Sequence, residues 1–153
     1  MSWCALVPMV SETIAIAADH AGIELKRLLC GDIERTGLRV LDLGTDGADS
    51  VDYPDFADAV AKAIIDRRAE RGVLICGTGI GMAIAANRHK GIRAALCHDA
   101  VSARLARQHN DANVLTLGAR TLGPEVARDC LRVFLETPFD GGERHLRRIR
   151  KMG

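Results

Sequence analysis

The segment Cys76-Gly77-Thr78-Gly79-Ile80-Gly81 combines one thiol with three glycines at alternate positions. Glycines at this spacing let the backbone turn tightly, and the N–H groups at the start of the following helix can form a nest that binds an anion. The same positive end favours the thiolate form of a nearby cysteine. A thiolate beside such a nest suits removal of a proton next to a carbonyl, with the nest holding the enediolate oxygen. From spacing alone, a tight turn with Cys76 as a buried strand-end residue is an equally good interpretation.

The same loop has a second functional interpretation, as part of a dinucleotide-binding turn. Gly77 and Gly79 fit the start of that motif, and Asp99 lies about where an acid that binds the ribose is expected. Met82, however, stands where the third glycine belongs. A nucleotide-binding module without catalysis is therefore the weaker alternative.

Three further groups of residues could hold a substrate. His20 follows an apolar run and precedes a helical pattern, which favours a phosphate donor over a structural histidine. Arg144 and Arg148 share a face if the basic segment near the carboxyl terminus is helical, so they form either a two-arginine phosphate clamp or a solvated face. His109 closes another helical pattern, where its charge would favour the helix dipole even without a functional role.

Apolar runs alternate with helical patterns along the chain and predict the elements that position these residues. Strands are predicted at 13–18, 38–43, 73–76, 92–97 and 114–117, and helices at 23–35, 54–69, 80–88, 100–108 and 124–135, before a basic segment at 143–151. Five β-α units predict a three-layer, Rossmann-like α/β fold, with a five-stranded parallel sheet and helices on both faces. Ligands of such sheets bind at the carboxyl ends of the strands.

Length and composition fit one domain. We predict residues 1–12 as a disordered or weakly ordered extension and residues 13–153 as a single domain that ends in the basic helix. The net charge of +1 and the lack of stacking aromatics in the basic tail argue against a nucleic-acid partner. The longest uncharged run, 72–87, is too short to cross a membrane. Five cysteines without Cys-x-x-Cys spacing favour a reducing compartment and argue against a structural metal.

Five separated motifs together resemble the type B ribose-5-phosphate isomerase family, which is grouped with galactose-6-phosphate isomerases. They are Asp19-His20-Ala21-Gly22, Asp52-Tyr53-Pro54, the Cys76–Gly81 segment, Arg107-Gln108-His109-Asn110-Asp111 and Gly141-Gly142-Glu143-Arg144-His145. Each motif alone is weak. Their common order, from about residue 14 to about residue 150, carries the resemblance.

The resemblance implies a cofactor-free, metal-free aldose–ketose isomerase that converts ribose 5-phosphate and ribulose 5-phosphate through a cis-enediol. It makes Cys76 the base that moves the proton and His109 the acid that opens the sugar ring, with Thr78 or Tyr53 assisting. The other implied contacts are Asp19, Tyr53 and Asn110 to the sugar hydroxyls, Gly77, Gly79, Ile80 and Gly81 to the enediolate, and His20, Arg144 and Arg148 to the phosphate. Arg120 is implied as a further arginine of the site. The same mechanism on allose 6-phosphate, galactose 6-phosphate or a tetrose phosphate is the alternative.

Two features of the chain bear on that resemblance. Some members use a glutamate in place of the cysteine, at the position of Met82, and a methionine cannot act as a base. Glu143 lies next to the proposed phosphate clamp, and we expect its side chain to point to solvent.

The order of the elements predicts how the site is assembled. Cys76 ends a strand at the carboxyl edge of the sheet, whereas His109 precedes a strand and so belongs to the amino edge. We therefore expect a homodimer, or a tetramer, in which two subunits share each active site. The reducing compartment indicated by the cysteines would be the cytoplasm.

Overall fold

The structure is a computed structural model that describes residues 11–153, in which six helices flank a five-stranded sheet. In chain order the elements are β1 (Thr13–Ala18), α1 (Ile23–Arg35), β2 (Arg39–Asp42), α2 (Tyr53–Ile65), β3 (Arg71–Cys76), α3 (Ile80–Ala86), β4 (Ala94–Leu96), α4 (Ala100–Asn110), β5 (Val114–Gly118), α5 (Pro124–Glu136) and α6 (Glu143–Met152). The strand order is β2-β1-β3-β5-β4, and every pairing is parallel. The predicted α/β fold is therefore confirmed.

The hydrophobic core lies on both faces of the sheet, because alternate residues of the buried strands point to opposite sides. On one face, Ile16 belongs to a buried cluster with residues of α1 and α5, including Leu29 and Phe134. On the other face, Ala17 belongs to a second cluster with residues of α2 and α3, including Val60 and Met82. Helices on both faces give the three layers expected from the sequence.

Several element boundaries differ from the predicted ones. Helix α2 ends at Ile65 rather than near Ala69, and Arg67 has a left-handed backbone with φ of 60° that cannot continue a helix. Strand β3 begins two residues early, since Arg71 and Gly72 already pair with β1. Strand β4 is short because Ile92 takes part in a turn, where its N–H donates to the His89 carbonyl.

The predicted extension, residues 1–12, falls mostly outside the described residues, and its last two residues contact the domain. Ser11 Oγ donates to the Gly37 carbonyl at 2.7 Å. The Glu12 carboxylate accepts two hydrogen bonds from Arg71, at 2.5 and 2.7 Å. The ordered domain therefore includes Ser11 and Glu12. Over residues 11–153, no helix is both long and apolar enough to cross a membrane.

Candidate active site

Cys76 is the last residue of β3, and its side chain is held by the loop that follows. Its Sγ accepts a hydrogen bond from the Gly79 N–H at 3.1 Å, and only 4% of the residue is exposed. Gly79 has φ of 78°, a left-handed conformation that glycine adopts without steric cost. A Cβ at this position would lie 2.7 Å from Leu96 Cδ1 and 2.9 Å from the Leu117 carbonyl carbon. The loop therefore requires glycine here to bring an N–H onto the thiol.

The loop after β3 packs against the turn after β5, which places two more predicted site residues. The Ala119 N–H donates to the Cys76 carbonyl at 2.8 Å, and the Arg120 N–H donates to the Gly77 carbonyl at 2.9 Å. A Cβ on Gly77 would lie 3.2 Å from Arg120 Nη1, so the guanidinium rests against that glycine. The exposed Thr78 Oγ1 accepts from the Ile80 N–H at 3.2 Å. Arg120 and Thr78 thus lie beside the Cys76 loop.

Tyr53 opens helix α2 and reaches the same loop from the other side. Its ring lies against Gly81, where a Cβ would overlap the ring atoms. The tyrosine is 39% exposed, so the phenol can be reached from solvent. Gly81 therefore serves close packing against Tyr53 as well as the turn.

Asp19 and His20 follow β1 at the same edge of the sheet. The Asp19 N–H donates to the Ile75 carbonyl at 3.0 Å, and its buried carboxylate accepts from the Ala21 N–H at 2.9 Å. His20 Nδ1 accepts a hydrogen bond from the Val51 N–H at 3.2 Å. In a neutral His20 the proton therefore sits on Nε2, which is available as a donor to an anion.

Lys26 holds the segment between β2 and α2 that supplies Val51. The side chain is 1% exposed, and its Nζ donates to Asp42 at 2.8 Å and to Asp46 and the Thr45 carbonyl at 2.9 Å. Burial alone would lower the pKa of Lys26, but the hydrogen bonds to Asp42 and Asp46 outweigh it and raise the pKa. The lysine therefore remains charged and ties this segment to α1.

Sequence reasoning missed Lys26 as a support of the site, although a signal was present. Lys26 lies at helical spacing between Ile23, Leu29 and Ile33, all of which are buried. A lysine on the buried face of a helix must find anionic partners, and an aspartate-rich segment follows the next strand.

His109 and Asn110 lie at the opposite edge of the sheet. They end helix α4, and the Asn110 carbonyl accepts from Arg93 Nε at 2.9 Å. Since Arg93 directly precedes β4, Asn110 lies at the amino ends of the strands. The amino-edge position expected for His109 from the order of the elements agrees with this contact.

Helix α6 brings the two arginines of the proposed clamp to the end of α4. Arg144 and Arg148 are exposed and one turn apart. Between them in sequence, His145 is 7% exposed and stacks on His109, with ring centroids 4.5 Å apart and an interplanar angle of 12°. Glu143 is exposed, as expected.

Arg107 fixes the path of the chain between α5 and α6. It is 9% exposed and donates to the carbonyls of Thr137 at 3.1 Å and Ala112 at 2.7 Å, and to Asp111 at 2.8 Å. The Asp140 N–H donates to the Gln108 carbonyl at 3.1 Å. These contacts hold the segment before α6 on the end of α4. The motif 107–111 therefore has a structural role in addition to presenting His109 and Asn110.

The predicted site residues thus form two groups, at opposite edges of the sheet. The carboxyl-edge group is Asp19, His20, Tyr53, Cys76, Gly77, Thr78, Gly79, Ile80, Gly81 and Arg120. The amino-edge group is His109, Asn110, Arg144 and Arg148. Each group is held together within one chain, by the contacts given above. Among residues 11–153 there is no cluster of three or more His, Cys, Asp or Glu side chains that could hold a metal ion.

The remaining described cysteines are in different surroundings from Cys76. Burial raises the pKa of Cys30 and of Cys130 to about 11, and it also raises the pKa of Cys97. Cys97 and Cys130 are buried in the core, as expected for small hydrophobic residues. These thiols are therefore poor candidates for a base at neutral pH.

Comparison with known proteins places the chain among isomerases. Residues 14–152 match the family model described as Ribose/Galactose Isomerase. The chain is 48% identical over 132 residues to D-erythrulose-4-phosphate isomerase of Pectobacterium atrosepticum, covering 85% of this chain and 86% of that protein. It is 43% identical over 136 residues to ribose-5-phosphate isomerase B of Escherichia coli, covering 89% and 91%. The solved type B ribose 5-phosphate isomerase of Trypanosoma brucei superimposes with a TM-score of 0.91 at 44% identity, covering 94% of this chain and 97% of that chain.

The contact between the loops after β3 and β5 predicts that Gly118 cannot be replaced without a loss of stability. A Cβ there would lie 2.6 Å from the backbone of Thr78, so Gly118→Ala must displace the Cys76 loop. We expect a loss of about 1–3 kcal/mol in the free energy of unfolding, measured by urea denaturation. Gly47→Ala is the control, since a Cβ there has no atom within 4 Å, and it should lose nothing. Equal stability of the two variants would contradict the close approach of these loops.

Proposed function

The chain belongs to the Ribose/Galactose Isomerase family, and on that premise we propose that it interconverts ribose 5-phosphate and ribulose 5-phosphate through a cis-enediol. The observation that carries the proposal is the Cys76 thiol, which lies at the end of β3 and accepts a hydrogen bond from the Gly79 N–H of the loop that follows. A base and an anion-binding backbone in one turn are what proton transfer next to a carbonyl needs.

Cys76 acts as a thiolate in the proposed chemistry. It removes the proton from C2 of the open-chain aldose, and the electron pair of that bond moves toward C1 and leaves negative charge on O1. The N–H groups of loop 77–81 stabilise this enediolate. The proton then returns to C1, while the hydroxyl proton of O2 passes to O1, so the product is the ketose and no atom is gained or lost.

Ring opening and phosphate binding require the remaining residues. Ribose 5-phosphate closes into a furanose, and His109 donates a proton to the ring oxygen as the ring opens. His20, through its free Nε2, and Arg120 face the phosphate from the carboxyl edge. Arg144 and Arg148 supply charge-assisted hydrogen bonds from the other group.

A single chain cannot easily bring both groups to one sugar. The first and last of the six residues of β3 are five steps of about 3.3 Å apart, so the two edges of the sheet are separated by about 17 Å. Direct contact between a catalytic group and the atom it serves needs about 3 Å. We therefore propose a homodimer, alone or within a tetramer, in which the amino-edge group of one chain completes the carboxyl-edge group of the other.

An exposed apolar patch beside the Cys76 loop supports this arrangement. Ile80 is 51% exposed and Ile84, one turn later on α3, is 64% exposed. Tyr53 lies against the same helix and is 39% exposed. Large apolar side chains that adjoin one another on a surface are typical of interfaces, and a second copy of the chain would cover them.

The net charge, the free cysteines and the burial of Met82 bear on the partners and the location of the protein. The partner molecule is a phosphorylated sugar, and the net charge of +1 supports no nucleic-acid role. Cys30, Cys76, Cys97 and Cys130 are free thiols, which fits a reducing cytoplasmic location. Met82, at the position of the third glycine of a dinucleotide turn, is fully buried, which speaks against a nucleotide-binding module.

A second candidate is the same reaction on a tetrose phosphate. It is favoured by the relative from Pectobacterium atrosepticum, an erythrulose-4-phosphate isomerase with higher identity to this chain than the Escherichia coli relative. Both reactions use the same base, nest and phosphate contacts, and they differ in chain length and in the need to open a ring.

The test of the proposed function is a comparison of kcat/KM on pentose, hexose and tetrose phosphates under one set of conditions. We expect ribose 5-phosphate to give the highest value, because the site supplies an acid for ring opening. A higher value for the tetrose phosphate would establish the second candidate instead. Absence of isomerisation of every sugar phosphate would contradict the proposal.

The phosphate clamp predicts an effect on KM. Arg144→Ala and Arg148→Ala should each raise KM for ribose 5-phosphate with little change in kcat, because each loses about 1.5–3 kcal/mol of charge-assisted contact, roughly 10- to 150-fold. Turnover of unphosphorylated ribose, which is expected to be poor, should change little. Arg150→Ala is the control, as Arg150 is an exposed arginine on another side of α6. Wild-type KM in both clamp variants would mean that α6 presents only a solvated basic face.

A further inference from the structure

His145 is the one buried residue of helix α6, within a segment whose charged side chains are exposed. Its ring lies nearly parallel to that of His109, with centroids 4.5 Å apart. From this stack, and on the basis of the proposed function, we propose that His145 is a positioning residue that sets the orientation of the His109 ring for opening of the sugar. His145 is not itself placed in contact with the substrate.

The stack is the contact that orients His109. Within residues 11–153, neither ring nitrogen of His109 takes part in a hydrogen bond to the protein, so no such bond fixes the direction in which they point. One face of the ring is covered by His145, and the residue remains partly exposed. A general acid must hold its proton toward the ring oxygen of the substrate. Fixing the plane of His109 by packing restricts the ring while leaving both nitrogens available.

Burial, together with most of the charges around the pair, favours a neutral His145. Burial is the main cause that lowers the pKa of His145, and the charges of His109, Arg144 and Arg148 add to it. Asp140 opposes them, with an oxygen 3.6 Å from His145 Nε2. Two charged residues near the end of α4 face this region. His109 is the stacking partner itself, and the charge of Arg107 is compensated by its ion pair with Asp111. A neutral ring can stack on a protonated His109 without the repulsion that two cations would feel.

A different role would be that His145 only docks α6 onto the protein. The two roles have different consequences, because α6 carries Arg144 and Arg148. Loss of docking would displace the arginines and weaken phosphate binding, whereas loss of positioning would slow ring opening and leave phosphate binding intact. The separation of kcat from substrate affinity therefore distinguishes them.

The experiment compares His145→Leu, which removes the ring, with His145→Phe, which keeps a planar ring in the same place. Two readouts are needed: kcat and KM for ribose 5-phosphate, and Kd for an open-chain hydroxamate of a phosphorylated four-carbon sugar acid, measured by calorimetry. The hydroxamate mimics the enediolate and needs no ring opening. We expect His145→Leu to lower kcat at least tenfold with Kd unchanged within twofold, and His145→Phe to restore most of the lost turnover.

Turnover of erythrose 4-phosphate adds a control for the wild type and both variants. Its O4 is esterified, so it cannot close a furanose ring, and any rate with it should be insensitive to His145. Three results would overturn the proposal: wild-type kcat in His145→Leu, a parallel loss of kcat and hydroxamate binding in that variant, or equal impairment of His145→Phe and His145→Leu. A wild-type protein inactive on all sugar phosphates would instead remove the proposed function, and this inference with it.

A measurement on the wild-type protein tests the stack even if a His145 variant fails to fold. The carbon-bound ring protons of His109, assigned in a proton NMR spectrum by their loss in His109→Gln, should show the upfield ring-current shift of a stacked imidazole. That shift should persist when the hydroxamate is bound. Shifts typical of a free imidazole would contradict the stack, and the proposal with it.

Discussion

Parallel pairing of β1, β3 and β5 is the constraint on which the site depends. It fixes the ends of all three central strands at one edge of the sheet, so the segments that follow them meet. The Cys76 loop is bonded there to the turn after β5, and Asp19 to the end of β3. The same pairing puts the residues that precede the strands at the far edge. The topology thus places half of the proposed site at each edge and keeps the halves apart.

Two buried cations hold the irregular segments that complete these halves. Lys26 ties the segment before α2 to α1, and this segment donates the N–H that fixes the tautomer of His20. Arg107 ties the segment before α6 to the end of α4. A buried cation is costly without partners. Lys26 binds two carboxylates and a carbonyl of a sequence-distant segment, and Arg107 binds the distant Thr137 carbonyl as well as groups next to the end of α4. Their removal would therefore affect the proposed substrate contacts as well as stability.

Much of the fold could be predicted from the sequence because local signals agreed. Alternating apolar and helical patterns predict all five strands and the helices between them, and the glycine spacing predicts the tight turn in which Gly79 has its left-handed backbone. The predicted end of α2 is too late, since nothing in the local sequence marks Arg67 as the residue with positive φ.

The supporting residues of the site were harder to predict. The role of Lys26 depends on carboxylates that the fold brings from another segment, and helical spacing alone marks only its burial. His145 belonged to a recognised motif, but its stack on His109 arises from packing between helices far apart in sequence. Such contacts follow from tertiary structure, which periodicity does not encode.

The central claim is that Cys76 and His109 from different chains act on one sugar. It is tested most directly by mixing inactive Cys76→Ala with inactive His109→Ala under conditions that exchange subunits. A mixed dimer would hold one site with both groups and one with neither, so activity on ribose 5-phosphate should reappear at up to about a quarter of the wild-type rate per chain, if half the dimers are mixed and each has one of two sites intact. No recovery despite exchange shown by mass spectrometry, or full activity of a wild-type monomer, would contradict the account.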